Sequence, residues 1–373
     1  MDVRRFTEAL GTDFYTGVPD SQLRPLCDFL MDKYGIDGSH HIIAANEGNC
    51  VAIGAGHHLA TGCVPVIYLQ NSGQGNILNP IVSLMSDKVY GMPCILVIGW
   101  RGEPGTHDEP QHVHQGEITV KVLEDMGISS FNMTKDTADS DVERIIREWE
   151  PFLKAGKQVA FVISSGALTY DRKVRYSNSD GLSREEVIEH VTKVTGCDPI
   201  VSTTGKCSRE LFEARESNGQ DHRYDFLTVG SMGHSSSIAL GIAISRPDVK
   251  VWCIDGDGAV IMHMGAMATV GSIRPKNMVH LVINNRSHES VGGMPTVSGS
   301  MDMTAIAKAC GYAHAVRVED HRILDEELMK AKEREGSTFI EVRCSIGSRA
   351  DLGRPTTTAK DNKEMFMEHL KSI

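Results

Sequence analysis

VWCIDGDGAVIMHMG (251–265) is an apolar run that stops at Asp255-Gly256-Asp257-Gly258 and resumes with residues suited to a helix. A run this apolar fits a strand covered on both faces, as in a parallel sheet flanked by helices. A helix of about ten residues is expected next, by its spacing of apolar positions. SIRPKN (272–277) then reads as a loop, and MVHLVINN (278–285) as a second strand ending at Asn284-Asn285. A right-handed βαβ crossover places both strand ends on the same carboxyl edge, where α/β sheets bind ligands. Asp257 offers a carboxylate there, and the Asn pair offers amide carbonyls. Such hard oxygen donors suit Mg²⁺ or Ca²⁺. Gly256 and Gly258 lack Cβ, so a phosphate could come close to the backbone. A second reading takes Asp255 and Asp257 as the D-x-D of a phosphatase. The turn alone does not choose.

The same alternation runs through the chain. Apolar runs at 40–45, 64–70, 93–100 and 158–164 precede others at 199–205, 225–230, 249–255, 278–285 and 338–344. Between the two groups lies the polar stretch YDRKVRYSNSDGLSREEV (170–187). Ser183 with Glu186 fits a capping box that opens a helix. The expectation is an α/β protein of two domains, 1–168 and 184–373, joined by a linker at about 169–183. Each is a parallel sheet flanked by helices, with no middle domain. The 373 residues suffice for two such cores.

The net charge of −11, with no basic block, argues against nucleic acid or an anionic membrane as partner. The nine cysteines are an odd number and include no C-x-x-C. They read as buried free thiols of a reducing compartment. MDVRRFTEALGTDF (1–14) lacks the apolar core of a signal peptide, and no apolar run of about 18 residues occurs. A cytoplasmic location is expected.

G-D-G, 25 intervening residues and then N-N after a second strand resembles the pattern of thiamine-diphosphate enzymes. The first half adds two matching pieces. In IIAANEGNCVAIGAGHHLATG (42–62), Glu47 stands just past a strand at the start of a helix. NSGQGN (71–76) resembles the family's S-G-P-G-x-x-N turn. Alone, Glu47 would read as a carboxylate in a first helical turn, favoured by the helix dipole. The resemblance makes it the catalytic group that activates the cofactor's aminopyrimidine. It also implies contacts to thiamine diphosphate from Ser72, Gly73 and Gln74, and from Thr204, Gly205 and Lys206 in STTGKCS (202–208). Further contacts are implied from Gly230, Ser231 and Met232 in VGSMGHSSSIALGIA (229–243), with Met232 as an apolar wedge. Gly256, Asp257, Gly258, Ala259 and Asn285 complete the set. Mg²⁺ is expected on Asp257, the Asn285 side chain and the Ser287 carbonyl, leaving Asp255 structural.

The two-domain layout resembles the branch that holds the phosphonopyruvate and sulfopyruvate decarboxylases. YTGVPDSQLRPLCDFL (15–30), WRGEPGTHDEPQHVHQGEIT (100–119), SHESVGGMPT (287–296) and GSRADLGRPTT (347–357) carry that likeness. It implies decarboxylation of a small 2-oxoacid, 3-phosphonopyruvate, to phosphonoacetaldehyde in phosphonate biosynthesis, with sulfopyruvate as the near alternative. Acid–base work would fall to Asp20, in the turn after the first strand, and to His112 and His114, read as loop residues. The substrate's anion would be met by Ser21, Gln22, Lys206 and His288, with Arg209, Arg349 and Arg354 as further cations. The resemblance implies a homo-oligomer with a dimer as the minimum active unit. The segment 347–373 reads as a loop and an amphipathic helix able to act as a lid. A non-catalytic cofactor-binding protein is a third reading, disfavoured by Glu47, which a pure binder does not need.

Overall fold

The computed structural model describes all 373 residues, which form two compact units, Met1–Arg175 and Tyr176–Ile373. The strands of the first unit are β1 (Tyr15–Gly17), β2 (His41–Ile43), β3 (Val66–Gln70), β4 (Cys94–Gly99), β5 (Ser129–Met133) and β6 (Gln158–Ile163). They lie in the order β2-β1-β3-β4-β6-β5, and every pairing is parallel. The second unit holds β7 (Ile200–Ser202), β8 (Asp225–Leu227), β9 (Val251–Gly256) and β10 (Met278–Asn284). A short hairpin of β11 (Ser287–His288) and β12 (Met294–Pro295) follows, then β13 (His314–Val318) and β14 (Thr338–Arg343). Its main sheet is again wholly parallel. Its order reads β8-β7-β9-β10-β14-β13, the first unit's order repeated strand for strand.

The central strands arise where the apolar runs were read. β3 is buried over Val66–Leu69, and β4, β6 and β14 are buried throughout. Each fully covered Leu, Ile, Val or Phe side chain contributes about 1.5–3 kcal/mol to folding. In the first unit Phe161 of β6 packs edge-on against Phe6 and Trp149, at ring separations of 5.2 and 4.8 Å. In the second, Trp252, Ile254, Leu281, Ile283, Ile340 and Val342 form the floor on which the helices rest.

Four readings change. β5 and β13 lie outside the predicted runs, because each is an edge strand with exposed positions and so carries no continuous apolar signal. The single helix expected after G-D-G is two, Asp257–Met262 and Gly265–Ile273, broken at His263, whose ring lies 4.3 Å from that of His234. His112 stands on the first turn of the helix Pro110–Asp125, and His114 just past that turn. Pro110 starts that helix at its first position, where proline's missing N–H costs nothing. Finally, the C-terminal helix Ala359–Ser372 is no free lid. Asn362 accepts from the Leu227 N–H at 3.0 Å and donates to the Asp225 carbonyl at 2.8 Å. With buried Phe366, it seals the β8 edge of its own sheet.

The stretch read as linker has no regular element. It ends in the expected capping box, Ser183 with Glu186, at the start of the helix Arg184–Thr195. All nine cysteines are free thiols, six of them buried. No helix is long and apolar enough to cross a membrane.

Candidate active site

In both units the strand order reverses beside the first strand, between β1 and β3 and between β7 and β9. Ligands of open α/β sheets bind outside the carboxyl ends of strands at such a switch point. The predicted site residues follow the carboxyl ends of the strands at and beside these two places: β1, β2, β3 and β4 in the first unit, and β7, β8, β9 and β10 in the second.

In the first unit Glu47 opens the helix Glu47–Thr61, capped by the Asn46 side chain. It is buried, and its Oε2 accepts from Asn76 Nδ2 at 2.6 Å. Gly73 lies flat against the same carboxylate: a Cβ there would stand 2.5 Å from Oε1. The NSGQGN turn after β3 is thus the wall that fixes Glu47. Asn71, the first residue of that turn, is buried and bonded to both Arg101 and Thr119. Gln74 is buried with an unpartnered Oε1, while Ser72 is exposed and accepts from Gln70.

Asp20 follows β1 and is fully buried. Its Oδ2 accepts from the N–H groups of Gln22 and Leu23, and its Oδ1 has no partner. Burial pushes its pKa up to about 6, against the pull of those N–H groups and of nearby Arg101. Ser21 accepts from Arg101 at 3.2 Å. His112 is half-buried, and its pKa is lowered first by burial and then by the Arg101 charge. His114 is 82% exposed on the other side of the helical turn and pairs with Glu117.

In the second unit Asp257 is buried, and its Oδ2 accepts from Thr296 (2.5 Å) and Ser298 (2.7 Å). Burial raises its pKa, and those hydroxyls lower it. Asn284 and Asn285 divide their work. The Asn284 amide is spent in the core, donating to Glu341 at 2.8 Å while its oxygen accepts from the Arg286 N–H at 3.1 Å. Asn285 donates to Glu289 at 2.9 Å and accepts from the Ser287 N–H at 3.1 Å. Glu289 therefore sets which end of the Asn285 amide is its nitrogen. The same carboxylate pairs with Arg184 at 2.9 Å and with Lys206 at 2.7 Å. Lys206 is thus already committed to Glu289. His288 is buried, its pKa depressed to about 4 by burial, so its ring is neutral near pH 7.

A Cβ on Gly258 would meet Met232 Cε at 3.4 Å, Thr296 Cγ2 at 3.6 Å and His288 Cε1 at 3.7 Å. Met232 is 37% exposed, on a loop where Ser231 has φ 58°. That left-handed conformation is uncommon for a non-glycine residue. A Cβ on Gly205 or Gly256 would meet nothing within 4 Å. Thr228 and Ser235, at either end of the Gly230–Met232 loop, keep buried hydroxyl oxygens without partners.

These features fit the expected cofactor and ion. A buried carboxylate held by the Thr296 and Ser298 hydroxyls, with the oriented Asn285 amide carbonyl past the end of the neighbouring strand, is a hard-oxygen set that a divalent cation would satisfy. Open glycines and orphaned hydroxyls beside it suit a diphosphate. Asp255, by contrast, is wholly buried, with one oxygen on the Gly256 N–H and the other 3.4 Å from His280. It does not line the turn, which removes the phosphatase's D-x-D. Arg209 donates to the Gly353 carbonyl, and Arg349 pairs with Glu185 and Glu213; both hold the 347–353 loop to its own unit.

The reading of the sequence missed Asn76, Arg101, Glu289, Thr296 and Ser298. Only Asn76 carried a signal, as the last residue of the turn motif.

Residues 3–124 match the N-terminal TPP binding domain of thiamine pyrophosphate enzymes, and residues 203–342 match the C-terminal TPP binding domain. Phosphonopyruvate decarboxylase of Streptomyces viridochromogenes is 32% identical over 96% of this chain and 91% of its own. The enzyme of the same name from Streptomyces hygroscopicus is 33% identical over 96% of this chain and 90% of its own. Sulfopyruvate decarboxylase of Methanosarcina acetivorans is 25% identical over 91% and 89%. With both binding domains present and likeness along nearly its whole length, the chain belongs to the thiamine-diphosphate-dependent decarboxylases, in the family of the phosphonopyruvate decarboxylases.

Proposed function

We propose that this chain decarboxylates 3-phosphonopyruvate to phosphonoacetaldehyde and CO₂, with thiamine diphosphate and Mg²⁺, in phosphonate biosynthesis. The observation that carries this is end-to-end likeness to two phosphonopyruvate decarboxylases, joined to a buried Glu47 braced by Gly73 and Asn76.

When bound, thiamine diphosphate supplies the electron sink for the pair left behind by departing CO₂. The chain's own residues do the rest. Glu47 presents a braced carboxyl that would exchange a proton with the cofactor's ring nitrogen. Asp257, the Asn285 side chain and the Ser287 carbonyl would hold the ion. Gly205, Gly256 and Gly258 would let a diphosphate approach the backbone, and Met232 would offer an apolar contact to the cofactor. Loss of CO₂ must be balanced by a proton on the same carbon. Asp20, with a pKa of about 6, is the acid suited to give it. His112 and His288, both lowered by burial, serve as neutral hydrogen-bonding groups near pH 7.

Sulfopyruvate is the second reading, carried by the 25% identical relative. We also propose a homodimer as the minimum active unit, as the resemblance implies, and a cytoplasmic location, which nine free thiols support.

The test is CO₂ and aldehyde release by the purified chain with cofactor and Mg²⁺, on phosphonopyruvate, sulfopyruvate and pyruvate in parallel. Preference for phosphonopyruvate that disappears in Glu47→Gln is the expected result. Preference for sulfopyruvate would replace the substrate; no CO₂ from any of the three would defeat the reading.

A further inference from the structure

The first unit holds a cation whose surroundings are built with unusual care for a loop residue. Arg101 follows β4 by two residues. Its backbone is locked to the cofactor turn from both sides: its N–H donates to Asn71 Oδ1 at 3.1 Å, and its carbonyl accepts from Asn71 Nδ2 at 2.7 Å. Its guanidinium is seated by Asp108, with Nε donating at 2.8 Å and Nη2 pairing with the other oxygen. Asp108 is saturated by this work, because it also accepts from the N–H groups of Gly102 and Glu109, each at 2.8 Å. The hydrogen bond to Arg101 holds the Asp108 carboxyl well below the usual range, so it stays ionised.

The loop cannot slide. Gly102 has φ 67°, and a Cβ there would lie 1.9 Å from the His112 carbonyl oxygen. A Cβ on Gly116 would lie 1.7 Å from the Gly102 oxygen. Trp100 Nε1 closes the same contact on the Gly116 carbonyl at 3.0 Å. Gly99 packs on Asp20, where a Cβ would overlap Oδ2 at 2.0 Å. Arg101, Ser21, Asp20 and His112 are therefore one cluster at the ends of β1 and β4.

A guanidinium has five N–H groups. Asp108 takes one on Nε and one on Nη2, and Ser21 takes one on Nη1. One N–H on each terminal nitrogen is left to donate to the oxygens of an anion. Ser21, accepting from Arg101, keeps its own O–H to donate. We propose that Arg101, seated by Asp108 and Asn71 and assisted by Ser21, clasps the phosphonate of the substrate and so sets the specificity of the reaction; this rests on the function proposed above.

The assignment to the phosphonate, not the carboxylate, follows from the direction of the reaction. The carboxylate leaves as neutral CO₂. A fixed cation on it would hold the ground state more tightly than the transition state and slow its departure. A cation on the end that keeps its charge costs nothing of that kind. Arginine also suits a tetrahedral oxyanion better than lysine, which binds as a point charge.

The test uses the holoenzyme with thiamine diphosphate and Mg²⁺. Methylphosphonate, which carries only the anionic end, serves as a competitive inhibitor against phosphonopyruvate. In Arg101→Lys the inhibition constant of methylphosphonate and the KM of phosphonopyruvate should both rise about 30-fold, since one of two charge-assisted bonds is lost. Thiamine-diphosphate affinity, read by fluorescence quenching, should stay within about 3-fold and reports an intact fold. In Arg101→Ala, added guanidinium should restore part of the phosphonopyruvate rate. Unchanged inhibition and KM in Arg101→Lys, with the wild type active on phosphonopyruvate, would overturn the role of Arg101 alone. A wild type inert on phosphonopyruvate would remove the proposed function and this clasp with it.

Discussion

Gly73→Ala isolates the geometry of the Glu47 carboxylate from the chemistry proposed for it. Gly73 has φ −78° and ψ −5°, a conformation that alanine adopts freely. The backbone therefore has no objection to the methyl group. The objection comes from Glu47: the new Cβ would stand 2.5 Å from Oε1, 2.6 Å from Cδ and 2.7 Å from Cγ. Against an ordinary 3.4 Å contact the shortfall is about 0.9 Å. Three atoms of one side chain are involved, so turning the carboxyl group does not relieve it. The whole outer part of Glu47 must swing away, and its 2.6 Å bond from Asn76 breaks or stretches. A misplacement of about 1 Å at a reacting group costs about 100-fold in rate, or about 2.7 kcal/mol of barrier. Stability should hardly change, because the strain is relieved by one mobile side chain and Gly→Ala at a compatible site gains about 0.4–1 kcal/mol. The assay is kcat from CO₂ release at saturating cofactor, with the melting temperature and cofactor affinity measured on the same sample. We expect kcat down about 100-fold with a melting temperature within about 3 °C. A fully active Gly73→Ala would refute the argument: the position of Glu47 would then not matter, and its role as the activating group would fall too.

Two further outcomes follow from single residues. Burial raises Asp20 to about 6, so its acid form is favoured by the fold. The stability it contributes is complete below about pH 4 and is lost as pH rises through about 6; as proton donor it should impose on kcat/KM a limb that falls above about pH 6, and a pH profile of Asp20→Asn that kept this limb would point to another acid. Asn362→Ala removes two side-chain bonds from the backbone of β8, which should destabilise the second unit by about 2–3 kcal/mol in urea unfolding yet leave kcat unchanged at low temperature, whereas a drop in kcat with native stability would restore the lid.

How much was legible follows from where each residue's partners lie. The central strands announce themselves because both faces are covered, so every position is apolar, as in ILVIG (95–99) and VAFVI (159–163). SSFNM (129–133) and HAVRV (314–318) do not, since an edge strand keeps one side in water. Glu47 and Asp257 could be found because each is tied to a turn with fixed spacing. Their supports could not: Asn76 reaches Glu47 from 29 residues away, Thr296 reaches Asp257 from 39, and Asp108 seats Arg101 through a helix start read as loop. Such contacts leave no periodic trace, because only the folded chain brings them together.

The repeated strand order gives those turns a common logic. β3 in the first unit and β9 in the second occupy the same place in their sheets, as do β4 and β10. The ends of β3 and β9 both carry glycine turns, yet the turn after β3 braces a carboxylate from a neighbouring helix, while the turn after β9 supplies its own. The ends of β4 and β10 diverge as well: one seats a guanidinium, the other orients an amide carbonyl. A parallel sheet fixes where its carboxyl edge lies and is indifferent to what stands there. That indifference lets one topology serve twice in a single chain. The first copy carries the braced Glu47 carboxylate and the seated Arg101 guanidinium. The second carries the buried Asp257 carboxylate and glycines with open space about them. On the function proposed above, each copy would supply a chemistry that the other lacks.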